Sequence, residues 1–151
     1  MSFPVLLDSR QPEVHASTLV LLEKSLLCAW FGGTKEGHSD VRIWLSRLDL
    51  SNPNSEWTTS SPVTADDGLP HWNPVLMKVP KSTKVLLFYK VGTPISAWYT
   101  HVMESDDEGT TWSEPRELVP NDRGKKPVSL LSLFSIQLFC TAKVAQAVEA
   151  P

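Results

Sequence analysis

Cysteine is scarce in this chain. Cys28 and Cys140 are the only two, too few for a disulfide framework. Cys28 lies in the apolar run LLCAWF with no cationic neighbour to depress its pKa, so it reads as a small buried hydrophobe rather than a reactive thiol. Positive charge is also short: 14 Lys and Arg stand against 17 Asp and Glu, for a net charge of −3. The longest basic run is Lys125-Lys126, so the basic patch expected of a nucleic-acid or anionic-membrane binder is missing. The apolar run Leu130 to Cys140 falls below the roughly 17–25 residues a membrane helix needs. We therefore expect neither nucleic acid nor membrane as a partner. The opening MSFPVLLDSRQPEV has neither the basic region nor the long apolar core of a secretory signal, which favours the cytosol. His15, His38, His71 and His101 have no metal-ligand spacing, and GGTKEG lacks the Gly-Lys-Ser/Thr ending of a phosphate-cradling loop. No metal and no cofactor are expected.

Helical periodicity is absent too. Before residue 125 no segment carries the spacing of a long amphipathic helix. The chain instead offers short apolar runs broken by polar, glycine and proline punctuation, which read as strands. HASTLVLLE, SLLCAWFGG and VRIWLSRL form three strands, with a short fourth near Trp57; PHWNPVLMKV, TKVLLFYKV, AWYTHVMES and SEPRELV form four more. The six tryptophans, Trp30, Trp44, Trp57, Trp72, Trp98 and Trp112, all fall in or beside these segments, where large rings suit packing between sheets. At least four of them are expected in the core.

The two sets of four align. His15 and His71, like Leu19 and Val75, lie 56 residues apart; Gly33 and Gly92, like Ser46 and Ser105, lie 59 apart; Trp57 and Trp112 lie 55 apart. A four-stranded unit repeating at this interval is how a propeller blade looks in sequence. Between the last two strands of the second unit comes SDDEGTTW, in which Ser105, Asp107, Gly109, Thr111 and Trp112 spell Ser-x-Asp-x-Gly-x-Thr-Trp. Glycine supplies the positive φ of a tight turn, the Ser and Asp side chains cap backbone N–H groups that the turn leaves unpaired, and the tryptophan anchors the outgoing strand. In the first unit the same place holds the longer SRLDLSNPNSEW.

SDDEGTTW resembles the Asp box of sialidase-type β-propellers, a structural motif with no catalytic group. The resemblance extends from about Glu13 to Lys125, through HASTLVLLEKSLLCAWFGGTKEGHSDVRIWLSR and GLPHWNPVLMKVPKSTKVLLFYKVG, and points to the "predicted neuraminidase" branch of the sialidase superfamily. It implies an all-β fold: a partial β-propeller of two four-stranded antiparallel blades out of six. The expected organisation is a lead-in over residues 1–12, blade one over 13–60, blade two over 61–124, and an apolar tail over 125–151, helical or disordered, that departs from the family pattern. Two blades cannot close a ring, and their open edges predict self-association.

Sialidases use a tyrosine nucleophile instead of a carboxylate pair, and the resemblance adds an early aspartate as acid/base and arginines for the substrate carboxylate. Asp40, in the loop FGGTKEGHSD, matches the region of the acid/base; Glu36, four residues earlier, is the other candidate. Either would serve as proton donor if the fold removed it from water and raised its pKa. His71, Trp72, Asn73, Lys90 and Arg123 are the candidates for binding a carbohydrate ligand, with Trp72 stacking on a sugar face or else packing between blades. His15 stands where the family's first arginine is expected, and neither Tyr89 nor Tyr99 matches the nucleophile. The resulting expectation is a truncated sialidase-like, carbohydrate-active protein, its parent a glycoside hydrolase acting on terminal sugars, inactive as this chain alone. The alternatives are a non-catalytic glycan-binding propeller module and a truncated gene product without function.

Overall fold

The structure, a computed structural model, describes residues 10–123. The expectations for the tail, and for most of the lead-in, lie outside the described residues. Eight strands follow one another: β1 (Glu13–Leu21), β2 (Ser25–Gly33), β3 (Arg42–Asp49), β4 (Ser61–Pro62), β5 (His71–Lys78), β6 (Val85–Val91), β7 (Tyr99–Ser105) and β8 (Arg116–Glu117). They form two four-stranded sheets, ordered β1-β2-β3-β4 and β5-β6-β7-β8, with every pairing antiparallel. The only helical element among the described residues is one 3₁₀ turn, Ile95–Ala97. This is the expected all-β pair of blades.

The sheets pack face to face, with β5 lying against β1, β2 and β3. Side chains of one parity meet across the interface. Leu27, Ala29 and Phe31 of β2 and Ile43 and Leu45 of β3 face Leu76 of β5 and Val85, Leu87 and Tyr89 of β6 in one core cluster. Their alternation with outward residues is the two-residue period of a strand. β2 is an exception, buried along nearly its whole length, which is why its sequence reads as an unbroken apolar run. Cys28 is buried in it, and that burial pushes its thiol up to about 12, as expected of an inert cysteine. Trp30 and Trp72 are buried; Trp98 and Trp112 are half-buried and pack against the core.

Superposing the two registers corrects the repeat. Both inner strands carry a bulge, between His15 and Thr18 in β1 and between Trp72 and Val75 in β5. At each, one residue takes positive φ, Ala16 at 52° and Asn73 at 46°. His15 therefore corresponds to Trp72, not to His71. Ser46 opposes Cys28, as Met103 opposes Leu87, so Ser46 corresponds to Met103 and not to Ser105. The first correction is a slip of one residue, which reverses the side-chain face; the second moves the match by two residues and keeps it. The tryptophan match survives: the N–H of Thr58 donates to Arg47 O at 2.8 Å, and that of Ser113 donates to Glu104 O at 2.8 Å, each immediately after its tryptophan. Trp57 itself forms an isolated bridge to Leu48; the fourth strand of blade one comes later, at Ser61–Pro62, just past the expected boundary at residue 60.

The Asp box is a side-chain-closed turn. Asp107 Oδ1 accepts from the N–H groups of Thr110 (3.0 Å) and Thr111 (2.8 Å), and from Ser105 Oγ (2.7 Å), while Oδ2 accepts from Thr111 Oγ1 (2.7 Å). Ser105 Oγ in turn accepts from the Gly109 N–H at 2.7 Å. The Thr111 N–H and hydroxyl, followed by the Ser105 hydroxyl, hold the exposed Asp107 carboxyl far below the ordinary carboxylate range. Gly109 needs its missing side chain twice over: its φ is +80°, and a Cβ would lie 2.6 Å from Leu27 Cδ2 of blade one.

That last contact shows the box docking on its neighbour. Between the two fixed positions of the motif, Glu108 offers its carbonyl to Arg47 Nη2 at 2.5 Å. Its carboxylate accepts from Lys78 Nζ at 3.3 Å and from the N–H of Glu23 at 3.3 Å. Sequence reasoning missed Glu108 because the motif leaves that position open.

Candidate functional site

The other end of the blades is built differently. Ser105 of the Asp box pairs with Val85, whereas Tyr99 pairs with Val91 and Val91 with His71. The Asp box thus sits at the opposite end of β7 from the start of β5, about 20 Å away at the rise of a strand.

At the His71 end the two blades part into a cleft of about 600 Å³. Blade one lines it with Glu13 and Phe31 and with Lys35, Glu36 and Gly37 of the β2–β3 loop; blade two contributes Trp72, Asn73, Ile95 and Trp98. The rings form a connected group. Trp72 meets Phe31 edge-on, with centroids 5.5 Å apart, and lies 5.3 Å from Trp98 at a tilt of 31°. The Trp72 indole donates to Gly92 O at 2.9 Å, which fixes the ring. The ring is buried against Phe31 of blade one and also borders the cleft. Asn73 reaches its exposed position because the β5 bulge gives it left-handed backbone, a conformation asparagine tolerates better than most residues.

The β2–β3 loop is held by side chains. Asp40 Oδ2 accepts from the Thr34 N–H at 3.0 Å, and Thr34 Oγ1 lies 3.3 Å from His38 Nδ1. Partial burial alone would push the Asp40 carboxyl up. The hydrogen bonds from Thr34, with His38 nearby, outweigh it and hold the group below its ordinary value. Proton donation required the reverse shift. Asp40 is ionised at neutral pH and acts here as a loop staple, with its Oδ1 buried and unpartnered among the described residues. Glu36 is exposed at the rim, its N–H donating to Glu13 Oε2 at 2.5 Å and its Oε2 lying 3.8 Å from His15 Nε2.

Asp40 does not line the cleft, and three further candidates also lie outside it. His71 is sealed in, with Nδ1 2.7 Å from Thr64 Oγ1 and Nε2 3.2 Å from Asp67 Oδ2. Both ring nitrogens are occupied, and neither is available to a sugar hydroxyl. Burial lowers its pKa below the usual histidine value, against the pull of Asp67. Lys90 donates to Thr100 Oγ1 at 2.7 Å, and burial lowers its pKa. Arg123 makes a forked pair with Glu117 at 2.7 and 3.1 Å and stacks 4.3 Å above the Tyr99 ring. Its planar fork is engaged by a carboxylate of its own chain.

So the structure brings together Glu36, Trp72 and Asn73 from the expected set and separates them from Asp40, His71, Lys90 and Arg123. Sequence reasoning missed Glu13, Phe31, Lys35, Ile95 and Trp98 as lining residues. The run AWYTHVMES reads Trp98 as part of a strand, but the strand begins one residue later, at Tyr99. Among the described residues no three His, Cys, Asp or Glu side chains gather as a metal site would require, and no helix is long and apolar enough to cross a membrane.

Comparison with known proteins agrees with the repeat. No curated protein matches the chain. A BNR repeat-like domain matches residues 24–133, spanning most of both blades and the Asp box, and the chain belongs to that family.

Proposed function

We propose that this chain supplies two blades of a sialidase-like, carbohydrate-active propeller and that the cleft between them binds sugar. One observation carries the reading: the half-buried Trp98 ring, backed by the buried Phe31 and Trp72, borders a cleft whose rim bears the carboxylates of Glu13 and Glu36 and the amide of Asn73. Sugar sites combine these same two elements, a flat apolar surface for the ring's C–H face and a few polar groups for its hydroxyls. The parent activity is glycoside hydrolysis at terminal sugars, and this chain alone does not turn substrate over.

The pKa of Asp40 favours a second reading, a glycan-binding module without catalysis. General acid catalysis contributes about 10²–10⁴-fold only when the acid is protonated at working pH, and Asp40 is held ionised. Both readings are tested with the purified full chain, on immobilised glycans and on a panel of fluorogenic aryl glycosides that includes a sialoside. Glycan retention lost in Trp98→Ala, with no aglycone released, is the expected result. Turnover abolished by Asp40→Ala would show that the chain is itself an enzyme; retention unchanged in Trp98→Ala would remove the cleft from the argument.

A further inference from the structure

We infer that the cleft selects an uncharged sugar and rejects an anionic one, an inference that rests on the carbohydrate reading above. Among the described residues the ionisable groups lining it are Glu13, Glu36 and Lys35, two formal negative charges against one positive. The two acids are not independent surface residues, since Glu13 Oε2 holds the Glu36 backbone N–H and so keeps both on one side of the opening. Ionised carboxylates only accept hydrogen bonds. Sugar hydroxyls, which donate, complement them; a sugar carboxylate, itself acceptor-only and negative, meets two like charges.

Nor does a guanidinium line the cleft to offset this. Arg42 pairs with Asp66 at 2.5 Å and Arg123 with Glu117 at 2.7 Å. Arg47 donates to Ser25 Oγ at 2.7 Å and to Glu108 O at 2.5 Å, at the Asp-box end. Forked arginine contacts are the usual means of capturing a carboxylate, and each of these arginines is committed to another partner. What remains, the half-buried Trp98 backed by the buried Phe31 and Trp72 and set beside the exposed Asn73 and Ile95, suits a neutral pyranose, whose C–H face meets the Trp98 ring while its hydroxyls reach the amide and the carboxylates.

The test uses matched ligands differing only in charge: methyl glycosides of glucose, galactose and mannose, each against its methyl glycosiduronate, with a methyl sialoside added. Binding to the full chain is followed by tryptophan fluorescence and by saturation-transfer NMR. At low salt at least one neutral glycoside should bind ten or more times tighter than its uronate. The ratio should narrow in 0.5 M salt, as screening predicts, and fall severalfold in Glu36→Lys. Glu36 is exposed, so that variant should fold; Glu13→Gln gives an independent second reading of the same ratio. A uronate or the sialoside bound as tightly as a neutral glycoside, or a ratio unmoved by both variants, overturns this inference and leaves the carbohydrate reading standing. No response to any sugar of either charge would remove the carbohydrate reading, and this inference with it.

Discussion

Blade one and blade two share a backbone but close their outer hairpins by different means. In blade two a compact turn is tied by Ser105 and Asp107. In blade one the same crossing takes a longer loop, pinned locally where Asp49 Oδ1 accepts from the Ser51 N–H at 2.8 Å and Asn52 Oδ1 from that of Asn54 at 3.0 Å. Yet the strand after the turn enters identically in both. The hydroxyl following the tryptophan accepts from the preceding strand: Thr58 Oγ1 from the Arg47 N–H at 2.9 Å, Ser113 Oγ from the Glu104 N–H at 3.0 Å. The register of the outer hairpin thus depends on the residue after the tryptophan. The Asp box adds a compact shape, and that shape brings Glu108 and Gly109 against blade one.

The sharpest way to test that difference is to add a methyl group to a glycine in each blade. Gly109→Ala should cost about 2–4 kcal/mol, combining left-handed strain with overpacking, because its Cβ would fall 2.6 Å from Leu27. Gly37→Ala in blade one, at φ +89° with its nearest neighbour, Trp72, 3.8 Å away, should cost about 1–2 kcal/mol from strain alone. Urea unfolding of both variants reads the difference. Equal losses would mean that the Asp box does not dock on blade one.

At the cleft end, Trp72→Phe should cost about 1–3 kcal/mol, since it strands the buried Gly92 carbonyl. Trp98→Phe should cost about 1 kcal/mol less, because the Trp98 indole N–H has no hydrogen-bond partner among the described residues to lose. Thermal melts of the pair check this, and the reverse order would mean that the two rings have been assigned the wrong roles.

The inner strands differ at one titrating position. His71 of β5 corresponds to Val14 of β1, which is 42% exposed. Because burial lowers the folded pKa of His71, its contribution is present above the unfolded value of about 6.5 and lost as pH falls through the lower folded value. The melting temperature should drop between pH 7 and pH 5, and His71→Gln should flatten that slope. His101 is shifted the same way by burial, so His101→Gln serves as the comparison; a slope that moves only with His101 would exclude His71 as the source.

The smallest effect is expected in acid. Hydrogen bonds depress both Asp107 of blade two and Asp49 of blade one, Asp49 chiefly through Ser51. Their stabilisation is complete above about pH 4 and lost as pH falls through the folded values. Wild-type and Asp107→Asn melting curves should therefore converge below pH 4, and more strongly than those for Asp49→Asn. Curves that stay parallel would mean that Asp107 does not titrate in the fold.

Local chemistry determined a good deal by itself. Strand runs, turn punctuation and SDDEGTTW are short-range patterns, and they placed seven of the eight strands, two sheets and the Asp box without any knowledge of contacts. They also made Cys28 inert and put a tryptophan at the same point in each outer hairpin. Only the tertiary structure decided the bulges at Ala16 and Asn73, because a bulge depends on which strand lies opposite, and only the strand pairing set the repeat of the inner strands at its true offset, one residue from the histidine match. Only the tertiary structure sealed His71 between Thr64 and Asp67, tied Arg123 to Glu117, and set Asp40 beneath the Thr34 N–H. A polar side chain's role is fixed by the partner it finds, and although these partners lie only a few residues away along the chain, the loop conformation that brings them into contact is not written in residue type. The cleft has the same origin: Glu13, Phe31, Glu36, Trp72 and Trp98 lie far apart along the chain and meet only because one blade packs on the next.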